Sequence, residues 1–586
     1  MTQIKHILLA LAISTGASSL AVAKQSTDYV QLPTTQAASA AYDDSYSIFQ
    51  PIIAQEGIVA TEELHATQAG IQVLNDGGNV VDAAVTIGFT LAVTLPNAGN
   101  IGGGGFMLYH DAHNNQTYAL DFREIAPQGA DKDTFLDSDG NVIDGRSLYS
   151  HYAVGVPGTV AGLVYAHEQW GKLPLEELLQ PAIQLAEEGF EVSHTLANAL
   201  ERTAERMQPW SATTDIFWRD GRPLQAGEQL VQKDLAQSLR QIAQDGAQAF
   251  YQGAIAEAIA AEMQGYPGAI TLEDLQNYEV ALREPLVGEY RGHTIATMPP
   301  PSSGGVHLLQ ILNIAEQWPL ADWGHNSADM VHHLSEAMKY AYADRSVYLG
   351  DPDYFDVPVK GLTDKEYARD IANKIDDKAA PAEAIKEGNP HDYESDQTTH
   401  YSILDEAGNA VSVTYTLNTN FGSGIVVPGT GILLNNEMDD FALKPGVANA
   451  YGLIGGEANA VEAGKRPLSS MTPTMVFKNG MPVLVTGSPG GARIITTVLQ
   501  TVLNAIDYEM NPAQNAASPR FHHQWLPDEL RLEQGFSPDT VHLLEERGHN
   551  ISVKPAMGRT QTVQQRNDAL QGYSDPRNPD GLTLGF

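Results

Sequence analysis

Two stretches rich in hydroxyl groups, Thr398-Thr399-His400-Tyr401-Ser402 and Ser412-Val413-Thr414-Tyr415-Thr416, flank the turn-forming cluster Asp405-Glu406-Ala407-Gly408-Asn409. Paired as a hairpin about Ala407, they set Leu404 opposite Ala410, Ser402 opposite Ser412 and Thr398 opposite Thr416. Side chains alternate along a strand, so Ser412, Thr414, Thr416 and Asn418 share a face. Directly opposed Cβ atoms approach to roughly 5 Å, which brings the Thr398 and Thr416 hydroxyls into hydrogen-bonding reach beside the Asn418 amide. On spacing alone this is a threonine-rich sheet surface, a common one because Thr favours strands. Glu437-Met438-Asp439-Asp440 reads as a solvated acidic loop, and Gly487-Ser488-Pro489-Gly490-Gly491 as a tight strand-to-helix turn. The latter is not a G-x-S-x-G nucleophile elbow, because Thr486 stands where the first glycine belongs.

Metal, thiol and nucleotide chemistry find less support. The chain has no cysteine, which removes disulfides, thiolate nucleophiles, Cys-ligated zinc and iron–sulfur clusters together. His332-His333, with Glu336 one turn on, and His522-His523 do not make H-E-x-x-H. Adjacent histidines leave a helix in different directions, so both pairs read as surface or packing residues. Asp137-Ser138-Asp139-Gly140-Asn141 opens like a calcium loop, but Val142 replaces the required glycine and no Glu closes it, so a turn is expected. Gly102 to Gly105 lacks the patterns of phosphate loops and reads as a close backbone approach. No metal and no cofactor is expected.

Several of these segments together change the weight of the first one. Thr398 to Ser402, Gly408 to Asn418 and Phe421-Gly422 resemble the signature of the γ-glutamyltransferase family. So do Gly77-Gly78-Asn79-Val80-Val81-Asp82-Ala83-Ala84, Gly102 to Phe106, Asp121-Phe122-Arg123-Glu124, Pro467 to Met471 and Gly487 to Gly491, in the family's order. The resemblance runs from about Gly57 to the C-terminus. It implies an α+β fold, a four-layer αββα sandwich of the N-terminal-nucleophile hydrolase type, with two stacked, mainly antiparallel sheets covered by helices. It also implies a precursor that cuts itself between Gln397 and Thr398, leaving a large subunit that ends at residue 397 and a small subunit, 398–586. The physical logic is sound: a Thr whose α-amine is freed carries its own general base, with a pKa of about 7.7–8.0 suited to neutrality. By resemblance Thr416 orients the Thr398 hydroxyl, and Gly490 and Gly491 supply oxyanion N–H groups. Arg123 grips the donor α-carboxylate with Ser469 and Ser470, and Asn418, Glu437 and Asp440 take its ammonium. Asp439 to Gly456 resembles a lid, with Tyr451 as the gating aromatic. The implied activity is transfer of γ-glutamyl groups, from glutathione above all, to water, amino acids or peptides. A glutaryl or cephalosporin acylase is the rival enzyme, but its side chain gives Asp440 no ammonium. A binding protein on a retained scaffold would be marked by loss of Thr398 or Thr416, and both are present.

These residues need elements to hold them. Thr67 to Asn75 and Val80 to Leu95 read as helices broken by Gly77-Gly78-Asn79, and Phe106 to Tyr109 as a strand. Leu175 to Glu188, Ala236 to Met263, Ser327 to Tyr348 and Ile494 to Ile506 read as helices. Asp364 to Gln397 is polar and charge-rich, an exposed connector where a chain can be cut. Thr474 to Phe477 and Val483 to Thr486 flank Asn479-Gly480, a strong hairpin signal. The 586 residues are 42% hydrophobic and 18% charged, which excludes a disordered chain. Asp plus Glu total 72 against 34 Lys plus Arg, a formal charge of −38, so neither nucleic acid nor an anionic membrane surface is an expected partner. Lys5 and His6, the apolar run Ile7 to Ile13 and Ala21-Val22-Ala23 read as a secretory signal cleaved after Ala23, with a leader, loose to about Ser47, and the start of the large subunit in 24–56, and a periplasmic or secreted product.

Overall fold

The computed structural model describes residues 48–385 and 398–586. The signal segment with Ala23, the leader up to residue 47 and Gln397 lie outside the described residues. In chain order the strands that matter here are β1 (Ile52–Ala54), β2 (Gly57–Thr61), β3 (Gly104–Asp111), β4 (Gln116–Phe122), β5 (Ala281–Arg283), β6 (Leu286–Tyr290) and β7 (His293–Thr297). After residue 397 come β8 (Thr399–Asp405), β9 (Ala410–Thr416), β10 (Thr474–Lys478), β11 (Met481–Thr486), β12 (Gln561–Arg566), β13 (Ala569–Ser574) and β14 (Leu582–Gly585). They form two seven-stranded sheets, ordered β14-β2-β8-β9-β3-β4-β5 and β1-β13-β12-β11-β10-β7-β6. β2 therefore lies between β14 and β8, which both follow residue 397.

The helices α1 (Leu64–Asn75) and α2 (Val80–Thr94) cover the outer face of the first sheet. Helices α3 (Ser303–Ala315) and α5 (Ile494–Ile506) cover the second, with α4 (Ala328–Tyr348) packed behind α3. This is the four-layer αββα arrangement that the resemblance implied, with one apolar core under α1 and α2 and another linking the second sheet to its helices. Asn79 starts α2 with a reciprocal capping box to Asp82, which is why the break falls at Gly77-Gly78-Asn79.

The central hairpin has the register expected of it, with Thr399 opposite Tyr415, Ser402 opposite Ser412 and Leu404 opposite Ala410. Tyr401 and Tyr415 turn outward and donate to the α2 carbonyls of Ala84 and Gly88 at 3.0 and 2.9 Å. Ser402 and Ser412 turn inward and donate to Gln561 and Thr486 carbonyls across the inter-sheet space at 2.9 and 3.1 Å. Alternation thus points Thr398 and Thr416 into the space between the sheets. The glycine run lets β3 press against β9: a Cβ on Gly103 would sit 2.0 Å from the Thr416 carbonyl oxygen.

Two expectations need correction. Ala236 to Met263 is not one helix but the end of Lys233–Asp245 followed by Ala247–Tyr251 and Ala254–Glu262. Gly246, at φ 63°, supplies the first break, because glycine adopts such an angle cheaply, and the chain is extended at Gly253 before the third helix. The supposed connector is also partly folded: Lys365–Ala372 is helical, and Ala368, Ile371, Ala382 and Ile385 are buried.

Candidate active site

Thr398 stands one residue before β8, and Thr416 ends β9. The Thr398 hydroxyl donates to the Thr416 oxygen at 3.4 Å, and the Asn418 backbone N–H donates to that same oxygen at 2.9 Å. Asn418 can do this because the chain leaves the strand there at φ 75°, and its Nδ2 is anchored on the Asn436 carbonyl at 2.9 Å. Both threonines are 3% exposed. They open on a cavity of about 280 Å³ that Arg123, Asn418, Glu437, Asp440, Tyr451, Ser469, Ser470 and Gly491 also line. Gly490 does not line it; it lies on a second cavity of about 380 Å³ with Pro489, Gly558, Arg559 and Arg577. Gly490 and Gly491 have φ of 141° and 53°, angles that favour glycine at this strand-to-helix turn.

Arg123 follows β4 directly and is fully buried. Its Nε donates to the Pro467 carbonyl at 3.2 Å, and its guanidinium pairs with Glu437 and, at 2.5 Å, with Asp440. The cavity thus holds a different arrangement from the assigned roles, with the cation of one half bonded to the carboxylates of the other. Opposite charges buried together pair, because each would be costly alone. Burial pushes the Glu437 and Asp440 carboxyls up, while Arg123 opposes it. Glu124, 3.8 Å from the same guanidinium, is pushed up to about 8 by burial. Glu437-Met438-Asp439-Asp440 is accordingly not a solvated loop but a buried 3₁₀ turn for three of its four residues.

The loop from Asp439 to Gly456 folds over this cavity. Tyr451 is buried, and its hydroxyl donates to the Asn418 carbonyl at 2.5 Å. Asn449 Nδ2 donates to Asp440 at 3.2 Å, and Gln524 Nε2 holds the Tyr451 carbonyl at 3.3 Å. Ser469 is fixed from the second sheet's helical layer, its carbonyl accepting from the Ser303 N–H and hydroxyl at 2.8 and 2.7 Å. Ser470 accepts from Arg345 at 3.4 Å, and Arg345 also donates to Ser303 at 3.0 Å. Arg345, on α4, was missed from sequence; burial lowers its pKa to about 10. Nothing in the local pattern of α4 marks it, because its role arises only where α4 meets the Ser469-Ser470 turn.

His332 and Glu336 converge with His549, a partner that spacing could not supply. His332 shares a hydrogen bond with His549 at 2.8 Å, and Glu336 pairs with Lys339 at 2.8 Å and accepts from the Ala380 N–H at 3.1 Å. A cation would have to displace the Lys339 ammonium. With His523, Asp528 and Trp525, the cluster instead holds residues 376–385: the Trp525 indole donates to the Ile385 carbonyl at 3.0 Å, and Asp528 accepts from the Ala382 N–H at 2.9 Å.

The family model Gamma-glutamyltranspeptidase matches residues 66–584. The glutathione hydrolase proenzyme of Escherichia coli (strain K12) is 54% identical over 548 residues, 93% of this chain and 94% of that one. The crystal structure of a cephalosporin acylase from Bacillus halodurans superposes with a TM-score of 0.82 at 29% identity, over 93% of this chain and 98% of that one. A Helicobacter pylori γ-glutamyltranspeptidase structure, at 48% identity and a TM-score of 0.54, covers 55% of this chain and 93% of its own. By the extent of these matches, the chain belongs to the γ-glutamyltranspeptidase family.

Proposed function

We infer that this chain is a γ-glutamyltransferase and glutathione hydrolase, made as a proenzyme that activates itself by cutting its own backbone. Family membership and the extent of the Escherichia coli match support the activity. The observation that carries the residue assignment is the Thr398–Thr416 hydroxyl contact of 3.4 Å at a cavity holding both a cation and carboxylates. In this reading the cut falls between Gln397 and Thr398, giving a large subunit that starts after a cleaved signal and a small subunit of 398–586. The product is periplasmic or secreted, and cleavage after Ala23 is part of the proposal.

The chemistry follows from the placement. Thr398 Oγ attacks the donor γ-carbonyl while its freed α-amine takes the hydroxyl proton. Thr416, whose oxygen already accepts from Asn418, keeps the Thr398 hydroxyl pointed into the cavity. The N–H groups of Gly490 and Gly491 stabilise the tetrahedral oxyanion. The α-ammonium of Thr398 then returns its proton to the leaving amine, leaving a γ-glutamyl ester on Thr398. Water or the amine of an acceptor amino acid or peptide attacks that ester. For the donor to bind, its carboxylate must replace Glu437 and Asp440 on Arg123, with Ser469 and Ser470 assisting. Its ammonium must take over the released carboxylates beside Asn418.

Mass spectrometry of purified protein, with γ-glutamyl anilide turnover on the same sample, tests this. Two polypeptides are expected, the smaller beginning at Thr398 and gaining one γ-glutamyl unit on that residue during turnover. An active protein that is intact, or acylated elsewhere, overturns the assignment.

A further inference from the structure

Arg559 and Glu62 form a pair next to Thr398 that the mechanism above does not use. Arg559 Nε lies 3.1 Å from Glu62 Oε2, and a terminal nitrogen of the same guanidinium donates to the Thr398 carbonyl at 3.5 Å. The Arg559 backbone N–H donates to Ser488 Oγ at 2.8 Å, in the loop that carries Gly490. Glu62 accepts from the His400 backbone N–H and from Asn578. One ion pair therefore ties the end of β2, the first residues of β8 and the Gly490 loop together. Glu62 is 1% exposed, and its burial is offset by the Arg559 guanidinium, which stays part-exposed, and by its further hydrogen bonds. Arg559 does not line the donor cavity; it lines the second cavity, beside Gly490.

We propose that Arg559 and Glu62 are positioning residues for Thr398: the guanidinium fixes the carbonyl of the nucleophile's own residue and holds the freed α-amine in its basic form, while Glu62 sets how much of that charge the amine feels. The proposal rests on the reading of Thr398 as nucleophile. An α-amine and a carbonyl oxygen of one residue are separated by about 3 Å, so a cation on the oxygen is close to the amine. A cation at about 4–6 Å disfavours a second positive charge and lowers the amine pKa. Other charges facing Thr398 come from the donor cavity, where Arg123 is paired with Glu437 and Asp440. Behind Glu62, Asp575 is paired with Arg520 and Arg577, and Arg577 also with Glu533. Burial pushes the Glu62 carboxyl up to about 7, with Arg559 opposing and Asp575 adding to the rise. Glu62 consequently gains or loses its charge near neutrality, and the amine's basicity follows.

The test is the pH profile of kcat/KM on a γ-glutamyl anilide for processed wild type, Arg559→Gln, Arg559→Lys and Glu62→Gln, with subunit formation checked by mass. Arg559→Gln removes the cation, so its acid limb should move up by about half to one pH unit. At pH 7 kcat should fall by up to about three- to tenfold, with donor KM within about twofold, because Arg559 is outside the donor cavity. Glu62→Gln leaves the cation unopposed, so its limb should move down. Arg559→Lys should keep the limb near the wild-type position. Limbs that stay together, move in one direction in both variants, or vanish in Glu62→Gln overturn the proposal. Should Arg559→Gln not mature, Glu62→Gln carries the test alone. Acylation mapped to Thr398 in wild type separates failure of this proposal from failure of the nucleophile assignment.

Discussion

In the proposed reading, Asp440 is the residue whose charge separates a γ-glutamyl donor from a glutaryl one, since only the first brings an ammonium. Asp440→Asn keeps the shape and one acceptor oxygen but gives up a charge-assisted bond of about 1.5–3 kcal/mol. Turnover of a γ-glutamyl anilide should fall by about 10- to 100-fold. The matched glutaryl anilide should become relatively better, because the substitution lifts a repulsion it suffered. A ratio that does not move removes Asp440 from amine recognition. Arg123→Lys keeps the charge but loses the two-pronged geometry and the Nε bond to Pro467. Donor KM should rise about tenfold or more while self-cleavage continues. Thr398→Ala should stop maturation and turnover together, as seen by mass and by rate. At this scale the residues gathered round the cavity were legible as separated motifs, and hairpin arithmetic placed Thr398 opposite Thr416. Arg345 and Arg559 were not, because each meets the site from an element distant in sequence, where no local spacing records the contact. Nor could spacing show that Arg123 pairs with Glu437 and Asp440.

At the scale of elements, the proposed lid is tied to the site by the Tyr451 hydroxyl on the Asn418 carbonyl, which in that reading is the bond at its gate. Tyr451→Phe removes that bond and about 1 kcal/mol of the closed state. The expected result is a higher share of hydrolysis over transfer, because water reaches the ester before the acceptor does. Product analysis with and without an acceptor dipeptide checks it; an unchanged ratio means that closure does not depend on the gate. Element boundaries were legible where chemistry punctuates them: Asn79 caps α2, and Asn479-Gly480 turns β10 into β11. They were misread where small residues hide a break, as at Gly246 and Gly253. Polarity also misled between Asp364 and Ile385, where charged residues alternate with the few apolar ones that dock the segment.

For the molecule as a whole, the His332–His549–His523 cluster joins residues before 386 to residues after 397. Burial holds His332 and His523 down at about 4, below the ordinary value near 6.5. A histidine with a depressed folded pKa lets the unfolded chain take up protons first, so stability falls as pH drops from about 6.5 towards 4. For His523 the loss between pH 7 and 5 amounts to up to about 2 kcal/mol. His523→Gln should therefore narrow the drop in Tm between those two pH values, and an equal drop would show that the cluster is not the sensor. The sandwich itself was legible only through family resemblance, since strand order is a long-range property that period and turn signals do not encode. That order carries a further consequence, because β2 is wedged between two strands from the far side of the cut. Scission divides the backbone but leaves each sheet a weave of both fragments, so neither fragment holds a complete sheet or a complete core. The pieces are threaded while still one chain, and refolding from two fragments must rebuild that weave in a bimolecular step that competes with aggregation. Maturation is then a ratchet: processed enzyme heated past its transition and cooled should stay inactive, while uncut Thr398→Ala should recover its native circular dichroism.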